Sequence, residues 1–438
     1  MATVVSLGTL FLGAVSPSAS LPFAAGPAAA RPPTAKNTQR PAKPSPRAAA
    51  SPRAVPGMGA TLPCFSSVAY SVNGKTRPAR PLPPVTSSAG GERLAAPGLQ
   101  VTPSAKTPPP APKATAWLVA DLSTGRVLAA CNAHVPLAPA SSLKVLTALA
   151  LTPRIAPATR YVARQEDAAV DGTRVGLVPG SAYTADDLWH ALLMGSANDA
   201  ATGLAAMAGG TASATTVMND TARSLGANDT RAVNTSGLDE PGQVSSAYDL
   251  ALFGRAALAN PVITKYVQTR SYAFPEAGAA IGPPRKTFQI QNHDKLLYNY
   301  PGALGVKNGW TSTTGGSFVG AAERGGRRVI ATVIAADPQT WQMSRALMDW
   351  AFSATAPGSE GVGELVTGPV DPAGPSRTAE GGAAEGAHAA APGDPDGGIV
   401  RISTSSAEPK LTAGQFFALV AGGVALIAVG RHLLRRRH

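Results

Sequence analysis

The 438-residue chain is poor in several residue types, and each shortage excludes something. It has only two cysteines, Cys64 and Cys131. Two cannot build a disulfide framework, and their spacing is not that of a metal-ligand set. They are expected to be independent thiols of minor structural weight, Cys64 in a linker and Cys131 at the end of a strand. The six histidines, among them His134, His190 and His293, are scattered and form no ligand cluster. That argues against a zinc hydrolase, and no metal or cofactor is expected. Acidic residues are also few, 26 against 38 Lys and Arg, for a net charge of +12. The imbalance is local. Between Arg31 and Lys113, twelve basic residues oppose Glu92 alone, and the last eight residues add four Arg. The remainder is near −3, so the part expected to fold is not basic. A basic arm can touch anionic lipid or wall polymer. Aromatics make up 5% of the chain and no nucleic-acid module is present, so no nucleic-acid partner is expected.

Glycine (46) and proline (40) approach a fifth of the chain and concentrate toward its two ends. Residues 1–30 resemble a signal sequence: Val4 to Val15 is apolar, and Ala28-Ala29-Ala30 offers an A-x-A site, although no basic residues precede the apolar run. Residues 31–112 read as a basic Ala/Pro-rich linker, too polar to offset the entropy of ordering. One globular domain is expected over 113–356, then a second Gly/Ala/Pro-rich linker over 357–410. Residues 411–430 carry no charge and are long enough to span a bilayer. The arginines of the tail, 431–438, would then be cytoplasmic and the domain outside.

Within the domain, Ala116 to Ala120 and Arg126 to Ala130 read as a hairpin about the Asp121–Gly125 turn. Helices are expected from Leu188 to Met194, after Asn198, from Thr215 to Leu225, and after Ser246 until Pro261 stops the last. Lys307, Ser317 to Glu323 and Arg327 to Ala335 lie on late strands, the last two joined at Gly325-Gly326. Strands at both ends with helices between imply an α+β fold with one shared antiparallel sheet.

Chemistry concentrates in three short stretches. Ser141 and Lys144 open an apolar segment, Val145 to Leu151, that reads as a buried helix. Three residues apart, they lie over one face. A hydroxyl beside an amine whose charged form is disfavoured by burial is a nucleophile beside its base. S-x-x-K alone is a weak signal. Ser196-Ala197-Asn198 follows, where Asn198 taken alone is an ordinary helix cap. Lys307-Asn308-Gly309 comes last, where Lys307 taken alone is an ordinary surface lysine. Order and spacing together match the S-x-x-K, S-x-N, K-T-G set of serine-acylating enzymes.

The domain resembles the serine-type D-Ala-D-Ala carboxypeptidases, the low-molecular-weight penicillin-binding proteins. The likeness extends to Pro139-Ala140 before Ser141, to Asn198-Asp199-Ala200-Ala201, to Asn234 through Asp239, and to Tyr300-Pro301-Gly302. It implies a DD-peptidase/β-lactamase-like fold: one antiparallel sheet formed by both ends of the domain, with an inserted helical subdomain. It also implies a peptidoglycan stem peptide as substrate and β-lactams as inhibitors. Ser141 would form the acyl-enzyme, Lys144 would take its proton, and Ser196 with Lys307 would relay that proton to the departing D-Ala. Asn198 would hold the peptide, Lys307, Asn308 and Gly309 would face the terminal carboxylate, and the N–H groups of Ser141 and Trp310 would form the oxyanion hole. Two positions depart from the family: Asn308 stands for Thr and Ala197 for Gly. No carboxylate-site Arg can be placed, and a linker and apolar run stand where relatives often carry a β-rich domain. A class A β-lactamase would need E-x-x-L-N between Ser196 and Lys307, which is missing, and Glu240 sits in the wrong context. A membrane-tethered wall-binding protein without activity is the remaining alternative, and Asn308 is its only support.

Overall fold

The computed structural model describes residues 80–370 except 282–283, and before them Cys64 and the short strand residues 67–68, 71–72 and 75–76. The expected signal at 1–30, the apolar run at 411–430 and the tail at 431–438 lie outside the described residues. Among the described residues no helix is long and apolar enough to cross a membrane.

The principal strands, in chain order, are β1 (Leu99–Val101), β2 (Ala114–Asp121), β3 (Arg126–Cys131), β4 (Ala303–Thr311), β5 (Gly315–Arg324), β6 (Arg327–Ala336) and β7 (Gly363–Glu364). They form one antiparallel sheet in the order β4–β5–β6–β2–β3, and β1 and β7 both pair with β3 along its outer side. The sheet therefore joins both ends of the domain, as the strand order in the sequence predicts. Strand β2 is buried at every position. Its alternation divides two cores: Ala116, Leu118 and Ala120 face the helices, and Trp117 and Val119 face the opposite layer.

The helices between β3 and β4 include α1 (Lys144–Leu151), α2 (Ala185–Leu193), α3 (Asn198–Met207), α4 (Thr211–Ser224), α5 (Ala247–Ala259) and α6 (Pro261–Gln268). The closing helix α7 (Thr340–Ala354) covers the other face of the sheet through Leu347, Met348 and Ala351. Local chemistry sets the helix starts. Thr184 and Asp187 form a reciprocal capping box at α2. Ser246 accepts from Asp249 N at α5. Pro261 does not merely end α5; it is the first residue of α6, and Asn260 Oδ1 accepts from Val262 N at 2.9 Å. Proline suits that position because its missing N–H would have no partner there.

Two expectations need correction. The sheet reaches beyond the 113–356 span, since β1 and β7 come from segments whose composition reads as linker. They are strands because β3 offers them an unpaired edge, which composition does not report. The cysteines are not independent thiols: Cys64 and Cys131 form a disulfide, with Cα atoms 5.7 Å apart. The bond ties Cys64 of the N-terminal arm to β3, an approach that spacing in the sequence does not report.

At the other end of β2, Arg327 Nε meets Asp121 Oδ2 at 3.0 Å. The same guanidinium donates to the carbonyls of Ala351 and Thr355, fastening the end of α7 to the sheet.

Closing a 67-residue separation with the disulfide contributes about 2–4 kcal/mol of stability. Denaturant unfolding with and without a thiol reductant should show a loss of that size, also seen in Cys64→Ser. Unchanged midpoints would show that the arm is not tied in solution.

Candidate active site

Ser141 lies in the 3-10 turn Ala140–Leu143, which runs directly into α1. Ala140 holds a left-handed backbone, φ 49°. Such strain persists only where the surroundings over-determine it. Here they do: Ser317 Oγ on β5 donates to Pro139 O at 2.6 Å and pairs with Ser142 Oγ at 2.7 Å, so both sides of Ser141 are tied to the sheet. The edge strand β4 passes equally close. A Cβ on Gly309 would stand 2.7 Å from Ser141 N and 2.9 Å from Ser142 N, so only glycine lets the strand run past the turn at this distance. Ser141 itself is half-buried and remains reachable.

Lys144 is wholly buried, and its Nζ makes three contacts. It lies 2.8 Å from Ser141 Oγ, 2.7 Å from Asn198 Oδ1 and 2.5 Å from Ser236 O. An ammonium has three donors, and these three acceptors use them all. To act as a base the amine must lose one proton, and its surroundings favour that. Burial pushes its pKa well below the ordinary lysine value, the charge of Lys307 pushes the same way, and Asp199 opposes them. Asp199 is buried at the start of α3 and accepts from the N–H groups of Val175, Gly176, Leu177 and Ala200.

Asn198 is not a cap. It is the first residue of α3, and Nδ2 donates to Asp171 O while Oδ1 faces Lys144. Ser196, two residues earlier, is buried in a left-handed turn at φ 58°. Among the described residues its hydroxyl joins neither Lys144 nor Lys307.

Lys307 is on β4, wholly buried, and donates to Asn308 O at 2.8 Å and Asn308 Oδ1 at 3.3 Å. Burial lowers its pKa to about 7, opposed by Asp294. Asp294, also buried, is pushed up to about 7 by the same loss of water. Asn308 thus supplies an acceptor to the lysine on its own strand. Trp310 is 41% exposed on the rim.

The loop Asn234–Leu238 has no counterpart in the three-motif reading. Asn234 Oδ1 accepts from Ser236 N, Ser236 Oγ and Gly237 N, so one side chain holds the turn. The Ser236 carbonyl is thereby aimed at Lys144. The signal in the sequence was the Asn-x-Ser-Gly turn chemistry, but a backbone carbonyl cannot be read as a ligand from side-chain motifs. No group of three or more His, Cys, Asp or Glu among the described residues can hold a metal.

A family model described as D-alanyl-D-alanine carboxypeptidase matches residues 102–338. The chain is 39% identical to D-alanyl-D-alanine carboxypeptidase DacB2 of Mycobacterium tuberculosis over 269 residues, 60% of this chain and 90% of that protein. It is 29% identical to DacF of Bacillus subtilis, covering 55% of this chain and 62% of that one. The crystal structure of a D-alanyl-D-alanine carboxypeptidase from M. tuberculosis superposes with TM-score 0.55 at 38% identity, over 61% of this chain and all of that one. A Streptomyces K15 DD-transpeptidase structure gives TM-score 0.53 at 25% identity, over 56% and 99%.

Lys307 makes stability depend on pH with a definite sign. Between about pH 7 and the ordinary lysine value near 10.5, the unfolded chain holds a proton that the folded chain has released, so stability rises with pH. Asp294 adds no slope above about pH 7. Denaturant unfolding at pH 7 and pH 9 should show that rise, and Lys307→Met should reduce its slope. Equal slopes in the two proteins would refute the depressed pKa.

Proposed function

The chain belongs to the D-alanyl-D-alanine carboxypeptidase family, and we propose that it removes the terminal D-Ala from peptidoglycan stem pentapeptides through an acyl-enzyme on Ser141. The observation that carries the reading is a buried Lys144 Nζ 2.8 Å from a reachable Ser141 Oγ.

On this reading the steps are as follows. Neutral Lys144 accepts the Ser141 hydroxyl proton as Oγ attacks the carbonyl carbon of the penultimate D-Ala. Negative charge develops on the carbonyl oxygen, and the N–H groups of Ser141 and Trp310, on elements that Gly309 allows to meet, receive it. The C–N bond breaks, and the departing D-Ala amine takes the proton back from Lys144 directly or by way of Ser196. Lys307, with the backbone of Asn308 and Gly309 beside it, faces the terminal carboxylate, and Asn198 orients the stem peptide while keeping Lys144 in place. Water then adds to the ester and regenerates Ser141. A β-lactam follows the first half of this path and stays as an acyl adduct.

The same reading places the domain outside the bacterial cytoplasm. Its substrate is there, and the Cys64–Cys131 disulfide suits an oxidising compartment. The charge-free run at 411–430 followed by Arg431 supplies a single C-terminal membrane anchor, and residues 1–30 supply the export signal.

Incubation with benzylpenicillin should raise the intact mass by one penicillin, and D-Ala should be released from a pentapeptide. Ser141→Ala should lose both while unfolding at the same denaturant concentration as the parent. A penicillin adduct on the Ser141→Ala protein would overturn the assignment. Truncation after Pro409 should move the protein from the membrane fraction to the soluble one, and retention in membranes would exclude a lone C-terminal anchor.

A further inference from the structure

The edge strand β4 has two faces, and the chemistry above uses one of them. Gly309 looks onto Ser141, so Asn308 and Trp310 alternate to the other side. There they line a cavity of about 340 Å³ with Gln339, Trp341 and Gln342 at the start of α7 and Lys295 at its rim. Gly316 makes room for it. A Cβ at 316 would lie 3.3 Å from Trp310 Cε3 and 2.5 Å from Thr340 Cγ2, so the indole rests on bare backbone. Gln339 is held at φ 80°, a left-handed backbone on a residue other than glycine, of the kind that gathers at ligand clamps.

The lining selects its ligand. It contains no carboxylate and does contain Lys295, so it does not favour a cation. It contains two indoles and three side-chain amides. An indole face carries negative charge density and attracts polarised C–H groups. Side-chain amides both donate and accept, which matches hydroxyls and an acylamino group. The volume suits one ring, not an extended oligomer.

We propose that this cavity binds an N-acetylated amino-sugar ring of the wall glycan. The ring stacks on Trp341 and Trp310, and the amides of Asn308, Gln339 and Gln342 read its hydroxyl and acetamido groups. Asn308 links the two faces of the strand. Its Oδ1 lies 3.3 Å from Lys307 Nζ, so a ring that engages this amide also changes the acceptor presented to Lys307. The choice of a wall glycan rests on the function proposed above; the sugar chemistry does not. The ring belongs either to the substrate's own glycan or to a neighbouring strand.

The test titrates tri-N-acetylchitotriose into the full-length protein and follows indole fluorescence. A saturable change is expected, weakened at least tenfold in Trp341→Leu and also in Gln342→Ala, which removes an amide without disturbing the apolar packing of Trp341. A second measurement compares D-Ala release from a free pentapeptide and from the same peptide on its disaccharide. A higher kcat/KM for the glycopeptide, lost in Gln342→Ala while the free peptide is unaffected, assigns the ring to the substrate's own glycan. Sugar binding with equal kcat/KM assigns it to a neighbouring strand. No saturable fluorescence change together with equal kcat/KM overturns the proposal. Absence of both D-Ala release and a penicillin adduct would instead sink the peptidase reading, and the sugar titration would still decide this one.

Discussion

Everything in the site depends on holding one lysine amine out of water. Lys144 is wholly buried, and its Nζ meets a hydroxyl, a side-chain amide and a backbone carbonyl from three separate segments. Burial makes the charged form costly, and the fixed acceptors stop the amine from turning away from Ser141. The surrounding construction serves that arrangement. The sheet tethers the Ser141 turn through Ser317, the α2–α3 junction delivers Asn198, and an asparagine-held turn delivers the Ser236 carbonyl.

Much of this could be read from the sequence, for physical reasons. Ser141 and Lys144 are three residues apart, and a helical turn must bring them together. The apolar run after them implied burial, and burial implied a shifted pKa. The hairpin turns at Asp121–Gly125 and Gly325-Gly326 and the late strands gave the sheet its outline, because turn chemistry and alternation are local properties. Asn198 was the ambiguous residue. Local rules made it a cap and its match to distant motifs gave it the substrate, and neither pointed to the lysine it contacts.

The features that escaped the sequence are those fixed by tertiary structure. β1 and β7 are too short to announce themselves, and they exist because β3 has a free edge. Cys64 meets Cys131 across 67 residues of sequence, a tertiary approach with no local signal. The Ser236 carbonyl is backbone and leaves no side-chain signature. Pro261 was legible as a stop but not as the first residue of the next helix, which depended on Asn260 accepting from the N–H groups after it. The cavity behind Trp310 belongs with these, since it needs β4, β5 and α7 side by side.

The account stands on the protonation state of one amine. Lysines labelled with carbon-13 at Cε allow each Nζ to be titrated by NMR, with Lys144→Met and Lys307→Met supplying the assignments. The account predicts a Lys144 signal that titrates well below the ordinary lysine range. A Lys144 that keeps its proton until about pH 10, like a solvated lysine, would contradict it.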